Sequence, residues 1–163
     1  MSRLAVLFKI DDQELENLKK QKKDDMYEYM LENIENKYLR TDRAYELNKA
    51  WEGIHFCINE GFWIETEHIP DNIIFGGEFL LDHNNYVITL KKPSDIKLIV
   101  EYLKENNIQD IIKKNFNKIP ENDYSLPKDE ENLQFLLEWG EEILDFYKGA
   151  MEENFNVIFT VDI

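Results

Sequence analysis

Arg3-Leu4-Ala5-Val6-Leu7-Phe8-Lys9-Ile10 places Leu4, Val6, Phe8 and Ile10 on one side of an extended chain. That period of two reads as a half-buried strand. Far along the sequence, Asn156–Asp162 reads as a closing strand. Between them, residues 78–81 and Tyr86–Lys91 read as a hairpin around the turn-rich tetrapeptide Asp82-His83-Asn84-Asn85. The other apolar residues recur at helical spacing. Strands and helices do not alternate regularly, which points to an α+β fold and away from a doubly wound α/β sheet. The expectation is one helix-rich domain over residues 1–163, with a small, mostly antiparallel sheet that includes both terminal strands.

The helices follow from caps and stripes. Asp11-x-x-Glu14 resembles a capping box, and Lys19, Lys20, Lys22 and Lys23 gather at the negative end of the helix it opens. Asp24 and Asp25 open a second helix with Tyr27, Met30, Leu31, Ile34 and Tyr38 on one face. A third is predicted over residues 42–60, capped by Thr41, stopped by Gly61, and striped by Ala44, Leu47, Trp51, Ile54 and Ile58. Pro93-Ser94-Asp95 starts another, with Ile96, Ile99, Val100 and Leu103 inward, and a short one holds Ile108, Ile111, Ile112 and Phe116. A loop over residues 120–128 leads to a long helix over residues 129–154.

The chain has 163 residues, 34 acidic and 19 basic, for a formal net charge of −15. Its length suits one domain, and 43% hydrophobic residues suffice for a core. The charge opposes binding to nucleic-acid phosphates and to anionic membrane surfaces. The lone Cys57 permits no intramolecular disulfide, and the five-residue apolar run 4–8 is too short for a secretion signal, so a cytoplasmic protein is expected. No phosphate-binding glycine motif or nucleophile elbow is present, and no cofactor is expected. Glu65, Glu67, His68, Asp82 and His83 lack any metal-ligand spacing, so no metal site is assigned.

The negative charge is unevenly spread. Residues 121–163 hold 12 acidic and two basic side chains, which is ten of the fifteen net charges. On the long helix, Leu133, Leu136, Leu137, Gly140, Leu144, Tyr147 and Met151 share one face, and Phe135, Trp139 and Phe146 form a flank beside it. That flank either packs under a neighbouring element, leaving a solvated acidic face, or forms an aromatic ridge that docks a basic protein. In the second case Phe135, Glu138, Trp139, Glu141, Glu142 and Phe146 are the contact residues.

On the third helix, Asn48, Glu52, His55 and Asn59 make a polar seam beside Trp51. Such a seam either lines a small pocket or forms a structural network that fastens the helix to the sheet. Cys57 lies about 200° around the helix from His55, reads as a buried inert thiol, and cannot form a dyad with it.

Asn48-Lys49-Ala50-Trp51, His55-Phe56, Ile74-Phe75-Gly76-Gly77, Leu90-Lys91-Lys92-Pro93-Ser94-Asp95 and Leu144-Asp145-Phe146-Tyr147 with Ala150 occur here in that order. Together they resemble the YfbM-like proteins, small bacterial cytoplasmic proteins classed as a domain of unknown function. The resemblance spans nearly the whole chain and implies a single α+β domain, with no established activity, cofactor or catalytic residues. It marks Trp51, His55, Gly76 and Gly77 as a shared cluster. The family pattern usually has Asp where this chain has Asn48, and often a glycine turn where it has Asn84-Asn85-Tyr86.

Two functions follow as expectations. The first is a non-enzymatic, acidic protein-binding domain, such as an immunity-like inhibitor of a basic partner. The second is an enzyme or small-ligand binder using Asn48, Trp51, Glu52, His55, Gly76 and Gly77.

Overall fold

The computed structural model describes residues 4–64 and 68–163. In chain order the elements are β1 (Ala5–Ile10), α1 (Asp12–Lys19), α2 (Lys23–Met30), a π-helical turn (Leu31–Glu35), α3 (Asn36–Tyr38) and β2 (Ala44–Asn48). Then come α4 (Trp51–Ile58), α5 (Ile69–Asn72), β3 (Glu78–His83), β4 (Tyr86–Lys91), α6 (Pro93–Glu105) and α7 (Ile108–Asn115). A 3-10 turn (Phe116–Lys118), α8 (Glu130–Gly140), α9 (Ile143–Glu152) and β5 (Asn156–Asp162) complete the fold. The strands form one sheet in the order β2-β1-β5-β4-β3, and every pairing is antiparallel. The fold is therefore α+β, with both terminal strands side by side.

β1 is buried on both faces, whereas its alternation predicts burial on one. Ala5 and Leu7 face a large core shared with α4 and α6 to α9, while Phe8 and Ile10 face a smaller core under α1, α2 and α3. The sheet is thus the middle of three layers, and an inner strand of such a sheet reads as a near-continuous apolar run. The smaller core is closed by Met26, Met30, Ile34 and Tyr38, each four residues from the last. Four-residue steps drift around a regular α-helix, and the π-helical turn absorbs the drift. Tyr27, expected inward, is exposed on the outer side and meets the edge of Tyr86.

The predicted helix over 42–60 is a strand followed by a helix. Residues Ala44–Asn48 pair with β1, with Val6 opposite Glu46 and Leu7 opposite Tyr45. Asn48 then takes a left-handed conformation (φ 52°), which asparagine tolerates better than most residues, and α4 starts at Trp51. The spacing of Ala44, Leu47 and Trp51 imitates a helical stripe, but pairing at a sheet edge outweighs it. The predicted helix over 129–154 is also two helices, parted at Glu141 and Glu142.

The hairpin strands extend closer together than expected, leaving only Asn84 and Asn85 between them. Both have positive φ (51° and 65°), the requirement of a type I′ turn. The Asp11–Glu14 capping box forms as predicted. Among the described residues, no helix is long and apolar enough to cross a membrane.

Candidate functional site

All of α4 is buried, and His55 at its centre has no exposed surface. Its Nε2 lies 3.5 Å from Oδ1 of Asp71, a residue of α5 that is 1% exposed. Lys91 ends β4 with its side chain wholly buried; its Nζ donates to the Ile74 carbonyl and to Thr89 Oγ1, each at 2.7 Å. The same ammonium sits 5.2 Å above the Phe159 ring. The core therefore holds an acid, an imidazole and an amine together.

Burial dominates the protonation of His55 and Lys91. It pushes the His55 imidazole down to about 3, helped by the charge of Lys91, so the ring is neutral near pH 7. Burial likewise holds the Lys91 amine well below its usual range, while Asp71 and Asp95 oppose that shift. Trp63 covers His55, with ring centres 4.4 Å apart. Trp51 stacks on Phe75 at 6.0 Å and tilts against Phe159 at 5.6 Å.

The two glycines shape the chain around this group. A Cβ on Gly76 would collide with the carboxylate and carbonyl of Asp71. Gly77 has φ 122°, and a Cβ there would strike the Leu90 carbonyl of β4. The pair lets the chain cross Asp71 and enter β3 hard against β4.

Of the six residues expected to bind a ligand, the structure gathers Trp51, His55, Gly76 and Gly77. Asn48 lies beyond the start of α4, where its Oδ1 accepts from the Lys49 N–H at 2.8 Å. Glu52 is buried on another side and accepts from the Ser125 N–H at 3.1 Å. His55 lines neither neighbouring cavity, the one beside Trp51 and Glu52 or the one beside Gly77. The sequence reading missed Asp71 and Lys91. Lys91 carried a signal, since it continues the inward phase of Val87 and Thr89 along β4. Asp71 carried none.

Of the residues weighed for a metal, Glu65 and Glu67 lie outside the described residues, and His83 pairs with Asp24 at 2.9 Å. Among the described residues, no three His, Cys, Asp or Glu side chains converge on a point where an ion would sit. Cys57 is buried, and burial pushes its thiol up to about 12.

A second surface forms where α8 meets α9. The Tyr45 hydroxyl of β2 donates to the Trp139 carbonyl and accepts from the Glu142 N–H. It thereby joins the last turn of one helix to the first of the next. Burial and the charges of Glu142 and Glu141 push the Tyr45 phenol up to about 12. Around it, Glu46, Glu138, Glu141 and Glu142 surround a depression of about 410 Å³ with Trp139 in its wall. Phe135 meets Trp139 edge-on at 6.2 Å. Phe146, expected on the same docking flank, is only 7% exposed; it lies under the Lys9 ammonium and packs on Tyr45, because the break between the helices turns it inward.

The family described as a domain of unknown function, DUF1877, matches residues 1–160. The chain belongs to the DUF1877 family. A crystal structure of a protein of unknown function, YfbM from Escherichia coli, shares the DUF1877 fold seen here. It matches with a TM-score of 0.67 at 12% identity, over 97% of this chain and 99% of that one. No curated protein matches the chain. Within this DUF1877 domain, the YfbM-like motifs through Trp51, His55, Gly76-Gly77 and Lys91 all converge on the buried His55–Asp71–Lys91 group.

Proposed function

We propose that this DUF1877 protein is a non-enzymatic binding domain that docks a basic partner protein on the acidic shelf between β2 and the α8–α9 junction. An immunity-like inhibitor of a basic partner is the specific form of that role. The supporting observation is the Tyr45 bridge, which adds Glu46 of an edge strand to the three glutamates of the junction around Trp139. Each part has a use in recognition. Four carboxylates speed encounter with a cationic surface. A half-buried tryptophan anchors the complex once formed. An edge strand offers unpaired main-chain groups. Reversing Glu138, Glu141 and Glu142 to lysine should slow association with the cognate partner about tenfold or more at low salt and flatten its salt dependence. Trp139→Ala should instead speed dissociation. Unchanged on-rates in the triple variant would overturn the proposal.

The alternative, a ligand site built on Trp51, His55, Gly76 and Gly77, draws less support. His55 is neutral and enclosed, and Asp71 fills the space over Gly76. That arrangement favours a structural network.

A further inference from the structure

A groove of about 310 Å³ opens on the small-core face of the sheet, beside α2 and the π-helical turn. Its apolar walls are Leu4, Val6, Tyr27, Leu31 and Leu39, of which Leu4 and Tyr27 stand exposed. Exposed apolar side chains gathered around one depression mark an interaction surface, whereas single scattered ones do not. Trp139 of α8 packs against the larger core on the other face, yet it lines this groove as well. Trp139 and Glu46 belong both to the groove and to the acidic shelf, so the two depressions meet around the free edge of β2. A partner seated on the shelf therefore has a direct way into the groove.

The groove carries charge of one sign. Glu35 comes from the π-helical turn, Glu46 from β2 and Asp162 from β5, and no Lys, Arg or His lines the groove among the described residues. Glu35 is half-buried, while Glu46 and Asp162 are exposed, so all three keep surface that a ligand can reach. Among the described residues, neither Glu35 nor Asp162 has an ion pair. Burial and the charge of Asp162 push the Glu35 carboxyl up, so the two acids act on each other without a cation between them. An alkyl side chain would cover the walls but desolvate the acids further. A bare cation would meet the acids but leave the walls open. A long basic side chain meets both, since its methylene stem covers apolar surface while its head stays among polar groups. We infer that the groove holds a lysine or arginine side chain of the docked partner, its stem along Val6, Leu31 and Leu39 and its cation between Glu35 and Asp162. This deepens the docking proposal and rests on it, by adding a pocket for one side chain to a surface that attracts many charges.

Tetralysine blocked at both ends, titrated into the whole protein at low salt and followed by NMR, tests this. The methyl signals of Leu4, Val6, Leu31 and Leu39 should shift and saturate with a Kd below about 1 mM. Intermolecular NOEs should join the lysine side-chain methylenes to the Leu31 and Leu39 methyls. The variant E35Q/D162N breaks no ion pair among the described residues and should weaken binding roughly tenfold or more. The variant E152Q/E153Q removes the same charge from the exposed end of α9 and should leave the affinity within about twofold. Groove methyls that stay still while the Glu141 and Glu142 amides shift would overturn this inference and leave the shelf proposal standing. Groove shifts with those two amides still would support the side-chain pocket and count against the shelf. Equal weakening by both double variants would show attraction to net charge alone and overturn the inference, and the absence of any saturable shift would overturn both readings.

Discussion

Nε2 of His55 lies 3.5 Å from Oδ1 of Asp71, and the two side chains are closed off from solvent. A base whose folded value falls from the ordinary 6.5 to about 3 takes up protons more readily unfolded than folded. Its contribution to stability is complete above the unfolded value and is lost as pH falls from there toward 3. The loss is at most about 1.4 kcal/mol per pH unit. Urea unfolding at pH 7, 6 and 5 should therefore show falling stability in the wild type and a shallower fall in His55→Gln. Equal slopes would place the titrating group elsewhere.

Lys91 and Asp71 act on one another inside the same core. Removing either should leave the other less well compensated, so the pair should be non-additive. Lys91→Met and Asp71→Asn are each expected to cost about 3 kcal/mol or more. The double variant should fall short of their sum by about 1–3 kcal/mol. Simple additivity in denaturant unfolding would refute the coupling.

Gly77 combines a left-handed conformation with close contact to the Leu90 carbonyl. Gly77→Ala should cost about 2–3 kcal/mol, a Tm drop of about 4–12 °C for a domain of this size. A thermal melt within a degree or two of wild type would show that β3 can shift away from β4.

The Tyr45 hydroxyl is the only part of that side chain removed in Tyr45→Phe. Losing its bonds to Trp139 and Glu142 should cost about 1–2 kcal/mol. Hydrogen exchange should accelerate at the Glu142 amide while the β1–β5 ladder keeps its protection. Uniform acceleration would indicate global destabilisation instead.

Asn85 occupies the second left-handed position of the β3–β4 turn, at φ 65°. Asn-Gly is the preferred pair for such a turn, so Asn85→Gly should stabilise by about 0.5 kcal/mol. A lower unfolding midpoint would count against the type I′ geometry.

The legible parts of the fold were those set by local chemistry. The Asp11–Glu14 cap, the Pro93 helix start and the hairpin depend on neighbours in sequence, and the structure has all three. β2 depends on a partner about forty residues away, and the positions of Ala44, Leu47 and Trp51 fit a helix equally well. The break between α8 and α9 depends on a hydroxyl supplied by that same unrecognised strand. In the core group, His55 and Trp51 stood out through the polar seam at helical spacing, and the glycine pair through the YfbM-like motifs. Lys91 did not, although its phase along β4 marked it as inward, because a lysine is almost never fully buried.

The strand order has a consequence for synthesis. β5 alone links the β2–β1 ribbon to the β4–β3 ribbon, and it is translated after both. While a nascent chain lacks residues 156–162, it holds two ribbons that share no ladder, with the inner edges of β1 and β4 open to other chains. Ala5 must wait for Val161, its partner across the ladder, before the sheet can become one piece. The domain therefore completes its architecture in a single late event, and the period before that event is when it most needs protection from its neighbours.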